Sequence, residues 1–352
     1  MASARRQFLL SVAGFGGAMW GSRSARWPGA RRSPFEAAAS PDGATSPDAV
    51  AAQPGTAAQR PDTGLPTREE AEGWYAKRRN WGRWGADDPM GAVNLITPQK
   101  RLRATGLAKT GRTVSLSRNF EPEQQFVRTS TTATGGSVID YYGFIYHGQT
   151  VTHLDALCHV WDQGGIWNGR SVDKDIDTRG AKFADITAFS GGIVTRGVLL
   201  DVPRHRREPF VAPDKPVHGG ELADIARAEG VDVGAGDALL VYSGREAYVR
   251  AGNVYGGAAR PGLHLSCTAF IRDRDVSLLG WDMMDARPDG YGLPWPVHGV
   301  IFSFGVPLLD NALLEPLAAA CAEERRYEFM LMVLPLKVPR GTGSPVNPIA
   351  LF

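Results

Sequence analysis

Thr150-Val151-Thr152-His153-Leu154-Asp155-Ala156-Leu157-Cys158-His159 places two imidazoles and a carboxylate within seven residues. Alternate side chains of an extended chain share a face, so His153 and Asp155 point the same way. A nitrogen and an oxygen donor presented together suit a hard or borderline divalent metal. His159 stands four residues beyond Asp155, close enough to carry a proton beside such an ion. A lone His-x-Asp pair also occurs in ordinary polar loops, so the rest of the chain has to decide between the two readings.

This stretch resembles the signature of the cyclase family of metal-dependent hydrolases, which includes bacterial kynurenine formamidases and isatin hydrolases. The family pattern is His-x-Gly-Thr-His-x-Asp-x-Pro-x-His. Thr152, His153, Asp155 and His159 match it, while Gln149, Val151 and Leu157 occupy the first His, the Gly and the Pro positions. His298 and Asp310, 12 residues apart, are similar in spacing and order to the family's later His and Glu. Residues 329–337 and 341–350 look like its final strand and terminal loop. Residues 81–88 and 94–98 resemble the entry segment of its longer members. The resemblance covers about residues 74–352.

The resemblance implies an α/β fold of the swivelling β/β/α kind with a mixed sheet, over residues 67–352. It also implies one or two divalent ions, zinc or manganese, held by His153, Asp155, His298 and Asp310, with Asp155 bridging. Asp310 is one methylene shorter than the family's Glu, so its backbone must approach more closely or the ion binds more weakly. Gln149 would be a further ligand, and its neutral amide oxygen suits manganese or magnesium better than zinc. His147 lies two residues earlier on the same face of an extended chain. It reads as a strand histidine hydrogen-bonded to a neighbour, with compensation for Gln149 as the alternative. In this chemistry the metal activates water and polarises a carbonyl. His159 then protonates the leaving nitrogen, or else orients a ligand.

The implied activity is hydrolysis of a C–N bond in a small carbonyl compound, as in an arylformamidase. Isatin-type lactam opening and cyclic-ester hydrolysis are close alternatives, and a non-catalytic binding protein on the same fold is the alternative from another class. The partner is a small-molecule substrate, and a homo-oligomer is compatible with the reading. Trp81, Trp84, Tyr142, Trp161 and Trp167 lie near the motifs, where they either pack the core or wall an aromatic substrate.

Composition agrees with a soluble globular domain: 43% hydrophobic and 22% charged residues. The net charge of +2 hides an asymmetry. Residues 1–39 hold six Arg and one Glu, and without them the chain carries 33 basic and 36 acidic residues, a net charge of −3. Such a body has no basic excess for nucleic acid or anionic lipid. Arg5-Arg6-Gln7-Phe8-Leu9 and the short apolar run that follows read as a twin-arginine export signal, with small residues near Ala25 or Ala37–Ala39 for cleavage. The expected destination is the periplasm or beyond, with no stable membrane anchor after processing. Residues 40–66 are an Ala/Pro/Ser/Asp-rich linker with too few bulky apolar groups to fold. Cys158, Cys267 and Cys321 have no disulfide or metal spacing.

Thr67 and Glu70 predict a capping box for a helix reaching about residue 79, and Thr97-Pro98 predicts another helix start. Apolar or β-branched runs predict strands at 112–117, 139–146, 193–202, 238–242, 276–280 and 327–336. Helices are expected at 220–228, 266–273 and 312–324. The Gly341-Thr342-Gly343-Ser344 run lacks the lysine and following helix of a phosphate loop.

Overall fold

The computed structural model describes residues 66–120 and 125–352, all within one compact unit, Arg60–Phe352. The twin-arginine segment, its cleavage positions and all of the 40–66 linker except Pro66 lie outside the described residues. Among the described residues no helix is long and apolar enough to cross a membrane.

Thirteen strands are described: β1 (Thr113–Ser115), β2 (Gln125–Thr132), β3 (Gly135–Tyr142), β4 (His153–Asp155), β5 (Ile176–Asp177), β6 (Gly180–Ala181), β7 (Ile193–Asp201), β8 (Ala238–Tyr242), β9 (Leu278–Trp281), β10 (Leu308–Asp310), β11 (Glu328–Val333), β12 (Gly343–Pro345) and β13 (Ile349–Leu351). The helices are α1 (Arg68–Arg78), α2 (Pro98–Thr105), α3 (Val172–Asp175), α4 (Val202–Arg206), α5 (Gly219–Ala228), α6 (Arg245–Arg250), α7 (Cys267–Asp273), α8 (Val300–Phe304) and α9 (Glu315–Glu324). Nine strands form one sheet in the order β1-β13-β11-β7-β8-β9-β10-β4-β12. Its centre, β7 to β10, is parallel, and both flanks are antiparallel. This is the α/β class with a mixed sheet.

Local chemistry explains the elements. Every residue of Ala238-Leu239-Leu240-Val241-Tyr242 is buried, as expected of a parallel strand covered on both faces. α5 and α7 contribute buried Leu222, Ile225, Phe270 and Ile271 to the core. The Thr67–Glu70 capping box is formed at the start of α1, and Thr97 caps α2 through the Lys100 amide.

The hairpin before the site differs from the sequence-based expectation. The strand expected at 139–146 ends at Tyr142 as the second arm of the β2–β3 hairpin, whose described side chains are exposed. Its partner β2 shows no hydrophobic alternation over Arg128-Thr129-Ser130-Thr131, so periodicity gave no strand there. The chain then leaves the hairpin and bends at Gly148, where φ is +155°, before entering β4.

Behind the sheet, Glu229 lies beside Asp201 and accepts a hydrogen bond from its amide at 3.0 Å, while Oε2 has no partner among the described residues. Burial, and then the nearby Asp201 carboxylate, push the Glu229 carboxyl up to about 8. The folded protein therefore holds a proton that the unfolded chain releases above its ordinary carboxylate range. Stability should fall as pH rises from about 5 to about 8. Glu229→Gln should remove this component of the slope, measured by chemical denaturation at both pH values. An unchanged slope would place the proton elsewhere.

Candidate metal centre

β4 is three residues long, and all three are buried. The two-residue period turns Leu154 to one face and His153 and Asp155 to the other. β10 lies antiparallel beside it, with Asp310 opposite His153 and Leu309 opposite Leu154. Directly opposed residues share a face, so the ladder register brings Asp310 to the His153–Asp155 pair. The shorter carboxylate of Asp310 thus reaches the site from the neighbouring strand. On the other side of β4, β12 places Gly343 opposite Asp155. A side chain there would collide with the Leu154 carbonyl and with the His147 ring, its Cβ falling 2.7 and 2.8 Å from them. The bare glycine leaves the space that His147 fills.

His298 enters from the loop before α8. Its Nε2 lies 3.2 Å from Asp310 Oδ2. Its Nδ1–H donates to Asp285 Oδ2, and Asp285 Oδ1 accepts the backbone N–H groups of Val297 and His298. Asp285 therefore fixes both the loop and the ring, in the carboxylate–histidine arrangement that orients metal-binding imidazoles. His153 is fixed similarly. Its Nδ1 lies 2.8 Å from the Val151 carbonyl, which can only accept, so Nδ1 carries the proton and Nε2 offers a lone pair. That Nε2 is 3.4 Å from Asp155 and 4.0 Å from Asp310.

Donor atoms of His147, His153 and Asp155 lie within 4.8 Å of one another, as do those of Asp155, His298 and Asp310. Asp155 belongs to both groups. Its two oxygens are buried without a hydrogen-bond partner among the described residues, as is His147 Nδ1. Burial would raise the Asp155 carboxyl, but His159, His153 and His147 outweigh it and hold the group well below the usual carboxylate range. Burial would likewise lower His298, but Asp285 and Asp310 raise it well above the ordinary imidazole value. The nearest partners of the Asp155 carboxylate are the ring nitrogens of His147, His153 and His159 at 2.9, 3.4 and 3.8 Å, and a buried carboxylate so short of donors costs several kcal/mol unless a cation satisfies it. Three imidazoles and two inward-facing carboxylates are a donor set that fits a divalent ion.

The remaining sequence candidates are placed as follows. His159 stacks on His147 with ring centroids 3.8 Å apart and 4° between planes. Its Nε2 is 3.8 Å from Asp155 Oδ1, and burial pushes its pKa down to about 4. Gln149 lines the same cavity. Its amide oxygen rests over Gly256, where a Cβ would fall 1.8 Å away, and its carbonyl accepts from Arg245. His147 lies in the bend after the hairpin rather than in a strand. Its Nδ1 is 2.9 Å from Asp155 Oδ1 and its Nε2 is 3.0 Å from Thr342 Oγ1. Thr342 and Gly343 belong to the glycine-rich segment near the C-terminus, so that segment is a wall of the site. Cys158 is buried, and burial raises its thiol to about 12, which leaves it no nucleophilic character near neutrality.

The cavity over these groups has a volume of about 390 Å³ and is also lined by Arg260, Met284, Arg287 and Trp295. The aromatic residues near the motifs do other work. Trp167 packs in the core against Trp84, Trp81 donates to the Phe302 carbonyl, and Tyr142 and Trp161 are exposed. The indole that reaches the cavity is Trp295, 5.6 Å from the His298 ring. Asp285 was not legible in the sequence, although a carboxylate just past a buried parallel strand is where ligands gather in α/β sheets. Asp285→Asn should lower metal affinity about 10–100-fold, measured by competition with a chelator. Unchanged affinity would mean that His298 keeps its orientation without the carboxylate.

Residues 114–287 match the Cyclase family, described as "Putative cyclase". A crystal structure described as a novel cyclase superposes with a TM-score of 0.67 at 25% identity, covering 79% of this chain and 99% of its own. Isatin hydrolase A from Labrenzia aggregata, bound to benzyl benzoate, matches at 18% identity and a TM-score of 0.49, covering 72% of this chain and 98% of its own. No curated protein matches the chain. With the signature residues gathered on β4 and a cyclase structure overlying most of the described unit, the segment 114–287 is similar to the cyclase family in both sequence and fold.

Proposed function

We propose that the protein is a metal-dependent hydrolase that cleaves a C–N bond in a small carbonyl compound, as an arylformamidase does. The observation that carries the proposal is Asp155, a buried carboxylate shared by two donor groups, with neither oxygen hydrogen-bonded among the described residues. His153, Asp155, His298 and Asp310 would hold the ion, with His147 completing the group on the β12 side. A divalent ion in this position supplies Lewis acidity and lowers the pKa of a bound water.

The chain's own residues supply the rest. Asp285 holds the His298 ring so that Nε2 faces the donor cluster. The Val151 carbonyl does the same for His153. His159 is neutral near pH 7, because burial lowers its pKa to about 4. It can therefore take a proton from the attacking water and return it to the leaving nitrogen, serving as base and then as acid. Trp295 and Met284 give the cavity an apolar side for the body of the substrate.

The signal for periplasmic delivery is part of the same proposal, since the twin-arginine route exports folded proteins with cofactors loaded. Replacing Arg5 and Arg6 by Lys should retain the protein in the cytoplasm, and undiminished export of that variant would remove the assignment.

The activity is tested by reconstituting the protein with Zn²⁺ or Mn²⁺ and assaying an N-formyl arylamine, an aryl-fused lactam and a lactone. Metal-dependent turnover of the formamide is expected. Turnover of the lactam or lactone instead would move the substrate class within the family. No turnover on any of them would favour a binding protein on the same fold.

A further inference from the structure

Arg260 and Arg287 line the cavity over the metal centre. They face each other in a two-residue antiparallel bridge: each amide donates to the other's carbonyl at 2.9 Å. A hydrogen-bonded pair of this kind turns both side chains to one face. The two side chains thus leave the bridge on one face, and like charges in directly opposed positions are unfavourable. Their hydrogen-bond partners are neutral carbonyls. Arg287 donates to the carbonyls of Leu293 and Pro294. Arg260 donates through Nε to the Asp285 carbonyl at 3.0 Å, and its side chain is only 14% exposed. The Asp285 carboxylate is 3.9 Å from Arg260 Nη2 but is committed to His298 and two backbone amides. Both arginines line the cavity, and these carbonyls take up only part of the five N–H donors that each guanidinium carries.

The charge count points the same way. The Asp285 carboxylate lies 3.9 Å from Arg260 Nη2, and Asp310 lines the same cavity. The two guanidiniums balance these two carboxylates, so a divalent ion held there would leave the cavity net positive. A small cavity of that sign, with Trp295 and Met284 beside it, favours an anion attached to an apolar body.

We infer that Arg260 and Arg287 form an anion subsite that takes a carboxylate carried by the substrate beyond its scissile carbonyl. The inference rests on the hydrolase reading for the word substrate; the subsite itself does not depend on turnover. A guanidinium pair suits a planar carboxylate because its N–H groups form parallel bonds to both oxygens.

The test is calorimetric titration of the Mn²⁺-loaded protein with benzoate and with its neutral isostere benzamide. Wild type should bind benzoate more tightly than benzamide. Arg260→Gln should weaken benzoate about 10–100-fold while leaving benzamide and the metal content unchanged. Arg260→Lys, which keeps the charge without the fork, should lie between them. Equal benzoate affinity in wild type and Arg260→Gln would overturn the subsite, as would equal loss of both probes, or no benzoate binding by wild type. Loss of the metal in Arg260→Gln would assign the residue to supporting Asp285 and would also overturn it. No step requires catalysis, so failure of the hydrolase assays and failure of this subsite are separate results.

Discussion

Asp155→Asn is expected to lose the metal and, with it, turnover. Asp155 is the one residue common to both donor groups, and its charge faces three imidazoles. The amide is nearly the same size, so β4 keeps its place between β10 and β12, and Leu154 keeps its contact with the core. What changes is the donor set. One oxygen becomes an N–H₂ group that cannot bind a cation, and the remaining oxygen is neutral. Removing one member of a buried charge pair costs about 3–5 kcal/mol, which corresponds to roughly 10²–10⁴-fold in metal affinity. Metal content after dialysis, read beside a circular dichroism spectrum, checks this. A folded variant that retains stoichiometric metal would show that the ion is held elsewhere.

His159→Ala should have an effect of similar size with a different signature. Its Nε2 is farther from Asp155 Oδ1 than the nearest atom of either His147 or His153, at 3.8 Å against 2.9 and 3.4 Å. The residue is therefore assigned to proton transfer and not to the ion. Turnover should fall about 10²–10⁴-fold, the usual contribution of a positioned acid or base, while metal content stays near that of wild type. Loss of the metal in this variant would make His159 a ligand. Full activity without it would place the proton carrier elsewhere, with His147, stacked on it, as the first candidate.

The two variants together ask whether the sequence signature divides its labour as the geometry suggests. Part of the placement of these residues was legible. His153 and Asp155 share a face because a strand alternates, and three residues are enough to read it. Asp310 and His298 were reached through family resemblance, and no local rule would have paired them with His153. The ladder between β4 and β10 makes the pairing, and both strands are too short for periodicity to detect. His147 was the ambiguous case. Counting back from His153 puts Gln149 at the expected ligand position, but the chain bends at Gly148, and the bend brings His147 to Asp155 instead. The space it occupies depends on Gly343, nearly 200 residues away, so the local sequence held no sign of it. Asp285, Arg260 and Arg287 were illegible for the same reason. Each acquires its role from a tertiary neighbour: the His298 ring, the Asp285 backbone, and an arginine across a two-residue bridge. The aromatic residues show the converse error of proximity, because Trp81, Trp84 and Trp167 are close to the motifs in sequence and pack elsewhere, while Trp295 supplies the cavity wall.

The most direct test of a metal centre built around Asp155 is anomalous diffraction from crystals of the protein grown with Mn²⁺ or Zn²⁺. The arrangement predicts a peak within bonding distance of Asp155 and His153 or of Asp155, His298 and Asp310, at about 2.0–2.3 Å for zinc. An anomalous map with no peak near Asp155, from protein shown to be loaded with metal, would contradict it.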